Sequence, residues 1–133
     1  MIENAIRLRL LSVPAIATMT GDRITLGVAD QGERRARIVL TVLDQTPEHT
    51  FDGGAGFRTG SVQVACLGQT YRAAHDLAEA ARLALDGYSG RQGTTVIEHL
   101  EADGIEDINS EPIEGQAVPT FGKAITVWFM HKD

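Results

Sequence analysis

Cysteine is almost missing from this chain: Cys66 is the single one in 133 residues. One thiol excludes an internal disulfide, so the fold must hold without an oxidising compartment. Cys66 lies inside the apolar run Val62–Leu67, which reads as a place for a buried structural thiol. Positive charge is scarce as well. Twelve Lys and Arg stand against 18 Asp and Glu, a formal net charge of -6. That balance disfavours a basic stripe able to neutralise phosphates, and so disfavours direct binding of nucleic acid. No hydrophobic run reaches membrane-spanning length. The N-terminal stretch carries Glu3, Arg7 and Arg9 within its apolar part, which breaks a signal-peptide core. The expected place of work is a cytoplasm, or an assembly built in one. Internal repeats, low-complexity tracts and linkers are also lacking.

What is present suits one domain over residues 1–133. Hydrophobic residues make up 43% and charged residues 23%, enough for a single sizeable core. Ile2, Ala5, Ile6, Leu10 and Val13 follow helical spacing, and Pro14 limits that helix. Thr20-Gly21-Asp22 signals a turn before a strand in which Ile24, Leu26 and Val28 alternate. Arg37–Gln45 is nearly continuously apolar through Ile38–Leu43, the pattern of a strand buried on both faces. Thr46–Gly60, with Pro47 and several glycines, reads as a long loop, and Ser61–Leu67 as the next strand. Thr70 is a plausible cap for a helix running to Asp86, with Ala74, Leu77, Ala78, Ala81 and Leu85 on one side and Gly87 as its stop. Tyr88–Gly93 reads as a loop, Thr94–Leu100 as a strand, Asn109–Phe121 as a connection and Lys123–His131 as the last strand. The order is α-β-β-β-α-β-β. The expected class is α+β, a single mostly antiparallel sheet of about five strands with two helices packed on one face.

Two helices cover one face of such a sheet. Strands Arg37–Gln45 and Lys123–His131 nevertheless carry apolar residues on both faces. An uncovered apolar face beyond a few hundred Å² normally marks an interaction site, here self-association or docking onto another protein.

No constellation for catalysis, cofactor binding or metal binding emerges. His49, His75, His99 and His131 lack ligand spacing. The glycine-rich Asp52–Gly60 has no Gly-Lys-Ser/Thr ending and leads into a strand, so it is no phosphate loop. Gly87-Tyr88-Ser89-Gly90-Arg91 lacks the second glycine of a nucleophile elbow and follows a helix. The acids of Glu98–Glu114 (Glu98, Glu101, Asp103, Glu106, Asp107, Glu111 and Glu114) have neither calcium-loop spacing nor a general base nearby. They read as a solvated face or, in a functional version, an electrostatic docking patch.

A family likeness then comes into view. Its residues are Gly21-Asp22-Arg23-Ile24, then Gln31-Gly32 before Ile38–Leu43, then Pro47-Glu48-His49-Thr50 with Asp52-Gly53. They continue with Val62-Gln63-Val64, Gln69-Thr70-Tyr71-Arg72-Ala73-Ala74, Leu77-Ala78, Ala84-Leu85-Asp86-Gly87 and Val127-Trp128-Phe129. In this order, over nearly the whole chain, they resemble the tail completion (tail terminator) proteins of long-tailed bacteriophages and phage-derived gene transfer agents. Many members have a proline before the second strand; here Arg34-Arg35-Ala36-Arg37 stands there.

The resemblance implies a non-enzymatic virion subunit. Such a subunit forms a homo-oligomeric ring, commonly a hexamer, on the head-proximal end of the tail tube. Its partners are its own copies, the major tail tube protein and the head connector, and DNA passes through the ring without specific binding. No membrane or cofactor is implied. The interface candidates are Val39, Leu43, Trp128 and Met130 on the sheet face, with Phe51, Phe57 and Arg58 in the Thr46–Gly60 segment. A different head–tail joining or neck protein, or a small ligand-binding α/β domain, are the alternatives.

Overall fold

The computed structural model describes residues 1–28, 33–50, 53–108 and 120–132, and for 47–50 and 53–55 only the backbone. Among these residues the elements run α1 (Ile2–Leu11), α2 (Pro14–Thr20), β1 (Ile24–Leu26), β2 (Arg37–Thr50), β3 (Gly53–Gly68), α3 (Tyr71–Leu85), β4 (Gly90–Gln92), β5 (Thr95–Asp107) and β6 (Phe121–Lys132). The strands form one sheet of order β1-β2-β3-β6-β5-β4. The β1–β2 pair is parallel and the other pairs are antiparallel. The α+β class with one mostly antiparallel sheet is therefore as expected, with one more helix and one more strand.

Each extra element has a local reason for escaping notice. Pro14 ends α1, but it also opens α2 at the first helical position, where its missing N–H is not needed. The seven residues of α2 bury only Ile16 and Thr20, too few to show a period. Strand β4 is Gly-Arg-Gln, with no alternation to read; it exists because it pairs Thr95–Ile97 across the turn at Gly93.

The segment Thr46–Gly60 is a correction. It is not a loop but the outer part of a β2–β3 hairpin whose ladder continues to Thr50↔Gly53. Glycine and proline depress local strand propensity, but a hairpin already nucleated by Ile38↔Cys66 and Leu40↔Val64 can propagate through backbone bonds alone. Pro47 is tolerated because β1 pairs only residues 38–40, leaving the outer side of β2 as an edge here. Strand β6 pairs β3 only over 58–68, so residues 47–50 and 53–57 form a two-stranded arm beyond the end of β6.

Helix α3 is fixed from its start. The Thr70 hydroxyl accepts a hydrogen bond from the Ala73 N–H at 3.0 Å. Its buried stripe of Ala74, Leu77, Ala78, Ala81, Ala84 and Leu85 faces the sheet. Ile2, Ile6 and Leu10 of α1, Ile16 of α2 and Leu77 of α3 share one core with Ile38, Leu40, Val62, Val64, Cys66, Ile125 and Val127. Burying each large side chain here contributes about 1.5–3 kcal/mol. Within β2, β3 and β6 these core residues occupy alternate positions, so the helices lie on one face of the sheet; among the described residues no helix packs on the other, where Val39, Ala65 and Ala124 are nevertheless buried. Cys66 is fully buried in this core, and burial pushes its thiol up to about 12.

Candidate functional site

The face opposite the helices is built of cross-strand rows. One row is Thr25–Val39–Ala65–Ala124–Glu106, and the next is Thr41–Gln63–Thr126. A third is Asp44–Ser61–Trp128–Glu101, and a fourth is Thr59–Met130–His99. The face is therefore mixed rather than wholly apolar. Val39 is only 9% exposed, while Trp128 and Met130 are 47% and 37% exposed. Two positions apart on β6, these two share a face about 7 Å apart along the strand. An exposed Trp–Met pair flanked by polar residues suits the apolar centre and polar rim of a protein contact.

Leu43 occupies a special place. The register slips between Val42 and Asp44, so Leu43 is the extra residue of a bulge, 53% exposed. Asp44, not Leu43, takes the next place beside Ser61, whose hydroxyl donates to the Asp44 carboxylate at 2.5 Å. Opposite the bulge, Gly60 lets the strands approach so closely that a Cβ there would sit 2.0 Å from the Asp44 carbonyl oxygen. The bulge and Gly60 mark the root of the arm. There the buried His131 Nε2 lies 2.7 Å from Gln45 Oε1, and the Lys132 ammonium stands over the Phe57 ring at 5.8 Å.

The interface candidates from the sequence therefore divide. Val39, Trp128 and Met130 share the face opposite the helices, Val39 buried and the other two exposed. Leu43 stands at the bulge, and Phe57 at the base of the arm under Lys132. Arg58 is exposed but pairs with His131, which puts it on the opposite face from Met130. Phe51 lies outside the described residues, as do Glu111 and Glu114.

Charge is distributed unevenly across the sheet. Beside β1 and the start of β2 stand Arg23, Arg34, Arg35 and Arg37. Arg35 pairs with Glu33 at 2.9 Å, and its guanidinium holds the Glu33 carboxyl down at about 2. Arg37 donates to the Arg35 carbonyl at 3.2 Å, and burial draws its guanidinium pKa down. Across the sheet, β5 exposes Glu98, Glu101, Asp103 and Glu106. At the end of β5 the Lys123 ammonium donates to Asp107 at 2.5 Å and to the Tyr71 hydroxyl at 2.8 Å. These bonds hold the Asp107 carboxyl below its ordinary value and raise Lys123. The cluster ties the first turn of α3 to β5 and β6. Among the described residues, no three His, Cys, Asp or Glu side chains converge as metal ligands.

No protein-family model and no curated protein matches this chain. A likeness in three dimensions does exist. A chain of the solved structure titled "Virion of native gene transfer agent (GTA) particle" superposes with a TM-score of 0.75 over 99% of this chain and 95% of that one. The two are 11% identical, so the likeness is one of fold, carried by nearly every element of both chains.

The sequence offered the Thr46–Gly60 segment for contacts, but the bulge at Leu43 and the close approach at Gly60 were not legible in it. Only the glycine density of residues 53–60 hinted that backbones meet closely there.

Proposed function

We propose that this protein is a structural virion subunit that caps the head-proximal end of a tail tube, stops its polymerisation and forms the joint to the head connector. The observation that carries the reading is the end-to-end fold likeness to a chain of a gene transfer agent virion, with neither chain leaving a sizeable part unmatched. The exposed Trp128 and Met130 on the face opposite the helices and the β2–β3 arm supply contact surfaces in this reading. Copies assemble into a ring, with six the expected number. One surface meets the tube protein and another the head connector, while DNA passes through the centre. Net charge of -6 suits a lumen that must not retain DNA.

The test is electron microscopy of particles made without this chain. Tails of uncontrolled length, or tails detached from heads, are the expected defect. Particles of normal tail length with heads attached would overturn the reading. Sedimentation of the chain with empty heads and never with tails would reassign it to the head side of the joint.

A further inference from the structure

We infer that copies of this chain meet head to tail, with the arginine-rich edge at β1 and the start of β2 set against the acidic strand β5 of the next copy. The inference rests on the ring reading and specifies its subunit contact. Three observations converge on it.

The first is sign. In a chain of net charge -6, Arg23, Arg34, Arg35 and Arg37 gather at one edge of the sheet, an excess of positive charge even with Glu33 paired to Arg35 and Asp22 nearby. The exposed Glu98, Glu101, Asp103 and Glu106 line the strand next to the other edge. The second is position in the strand order. Basic residues flank β1–β2 and acidic residues lie on β5, at opposite ends of β1-β2-β3-β6-β5-β4. Strand β4 pairs only Thr95–Ile97, and Asp86, Gly87 and Tyr88 bond the β5 backbone at Leu100 and Ala102, so Asp103 and Glu106 lie past the bonded stretch of that edge. Two different surfaces that complement each other give a heterologous contact, the kind that generates rings.

The third is height along the strands. Ile24, next to Arg23, pairs with Ile38, and that row runs through Cys66 and Lys123 to Asp107. The following row runs from Thr25 and Val39 to Ala124 and Glu106. Arg37 lies one residue before the first of these rows. Arg37 and Glu106 thus lie two rows apart on the sheet, whereas the row of Glu101 ends at Asp44. Opposite charges facing across the contact would also set its register and disfavour like-with-like docking.

The experiment uses the full chain, an Arg34→Glu/Arg35→Glu variant and a Glu101→Lys/Glu106→Lys variant, with circular dichroism as the folding control and sedimentation velocity as the readout. Wild-type association is expected to weaken about tenfold or more as salt rises from about 0.05 M to about 0.5 M. Each variant alone should fail to associate at low salt. An equimolar mixture should recover it, because each variant then presents one native and one reversed patch to the other. Association of either variant at wild-type strength, or a mixture no better than its components, would overturn the contact. Where a variant does not fold, a salt-independent wild type overturns it equally, and a salt-sensitive one supports it. Particle microscopy separates the two readings: tails capped normally by both charge-reversed variants would refute this contact alone, whereas normal particles without the chain would refute the capping role.

Discussion

Replacing Gly60 by alanine should unfold the root of the arm at a cost that can be worked from the geometry. The added Cβ would lie 2.0 Å from the Asp44 carbonyl oxygen, 2.8 Å from its carbon and 2.9 Å from Gln45 Cα. Non-bonded heavy atoms rest at about 3.5 Å, so the two strands must part by more than about 1 Å. All three obstructing atoms are backbone, which cannot rotate aside as a side chain would. Parting the strands loses one or two ladder hydrogen bonds at about 1 kcal/mol each. Residual crowding adds about 1–3 kcal/mol. The Ser61–Asp44 hydrogen bond next to the site is strained too. The sum is about 2–5 kcal/mol, which for a domain of this size lowers Tm by roughly 10 °C or more. Gly104→Ala is the internal control, since nothing lies within 4 Å of a Cβ built there. It should stay within about 0.5 kcal/mol of wild type. Urea unfolding followed by circular dichroism measures both. A Gly60→Ala protein melting within about 2 °C of wild type would refute the close strand approach from which the arm projects.

Trp128→Ala should leave the monomer folded, because the side chain is half exposed. If it anchors a contact, association should weaken about 30-fold, the equivalent of about 2 kcal/mol; unchanged sedimentation would remove Trp128 from the interface. Asp107→Asn should destabilise the protein at neutral pH. The carboxyl of Asp107 is held below its ordinary 3.8, chiefly by its hydrogen bond from Lys123, so its contribution is present above the unfolded pKa and lost as pH falls through the folded one. The stability gap between wild type and variant should therefore close below about pH 4; a gap independent of pH in urea titrations would contradict the Lys123–Asp107–Tyr71 cluster. Cys66, buried with its thiol pushed up to about 12, should resist a thiol reagent at pH 8 until urea unfolds the chain. Rapid labelling of the native protein would mean that this part of the core opens.

Local signals were enough for much of the scaffold. Thr70 before an alanine- and leucine-striped segment specifies α3, because capping and 3.6-residue periodicity act within a few residues of chain. The nearly continuous apolar run Ile38–Leu43 and the apolar residues on both faces of Lys123–His131 indicate strands, and the single thiol at Cys66 falls where an apolar run buries it. The sequence by itself also determines the charge of the chain and the presence of Trp128 and Met130 two residues apart on one strand. Tertiary structure alone decided the rest. Residues 47–50 and 53–57 became an arm because backbone pairing was propagated from a distant ladder, against their own composition. Gly60 became indispensable because Asp44 was brought against it from 16 residues away. Arg37 and Glu106 came to lie two rows apart in one sheet because β3 and β6 were inserted between their strands. Each of these depends on which strands lie side by side, a long-range choice made by burial of the shared core and absent from any short window of sequence.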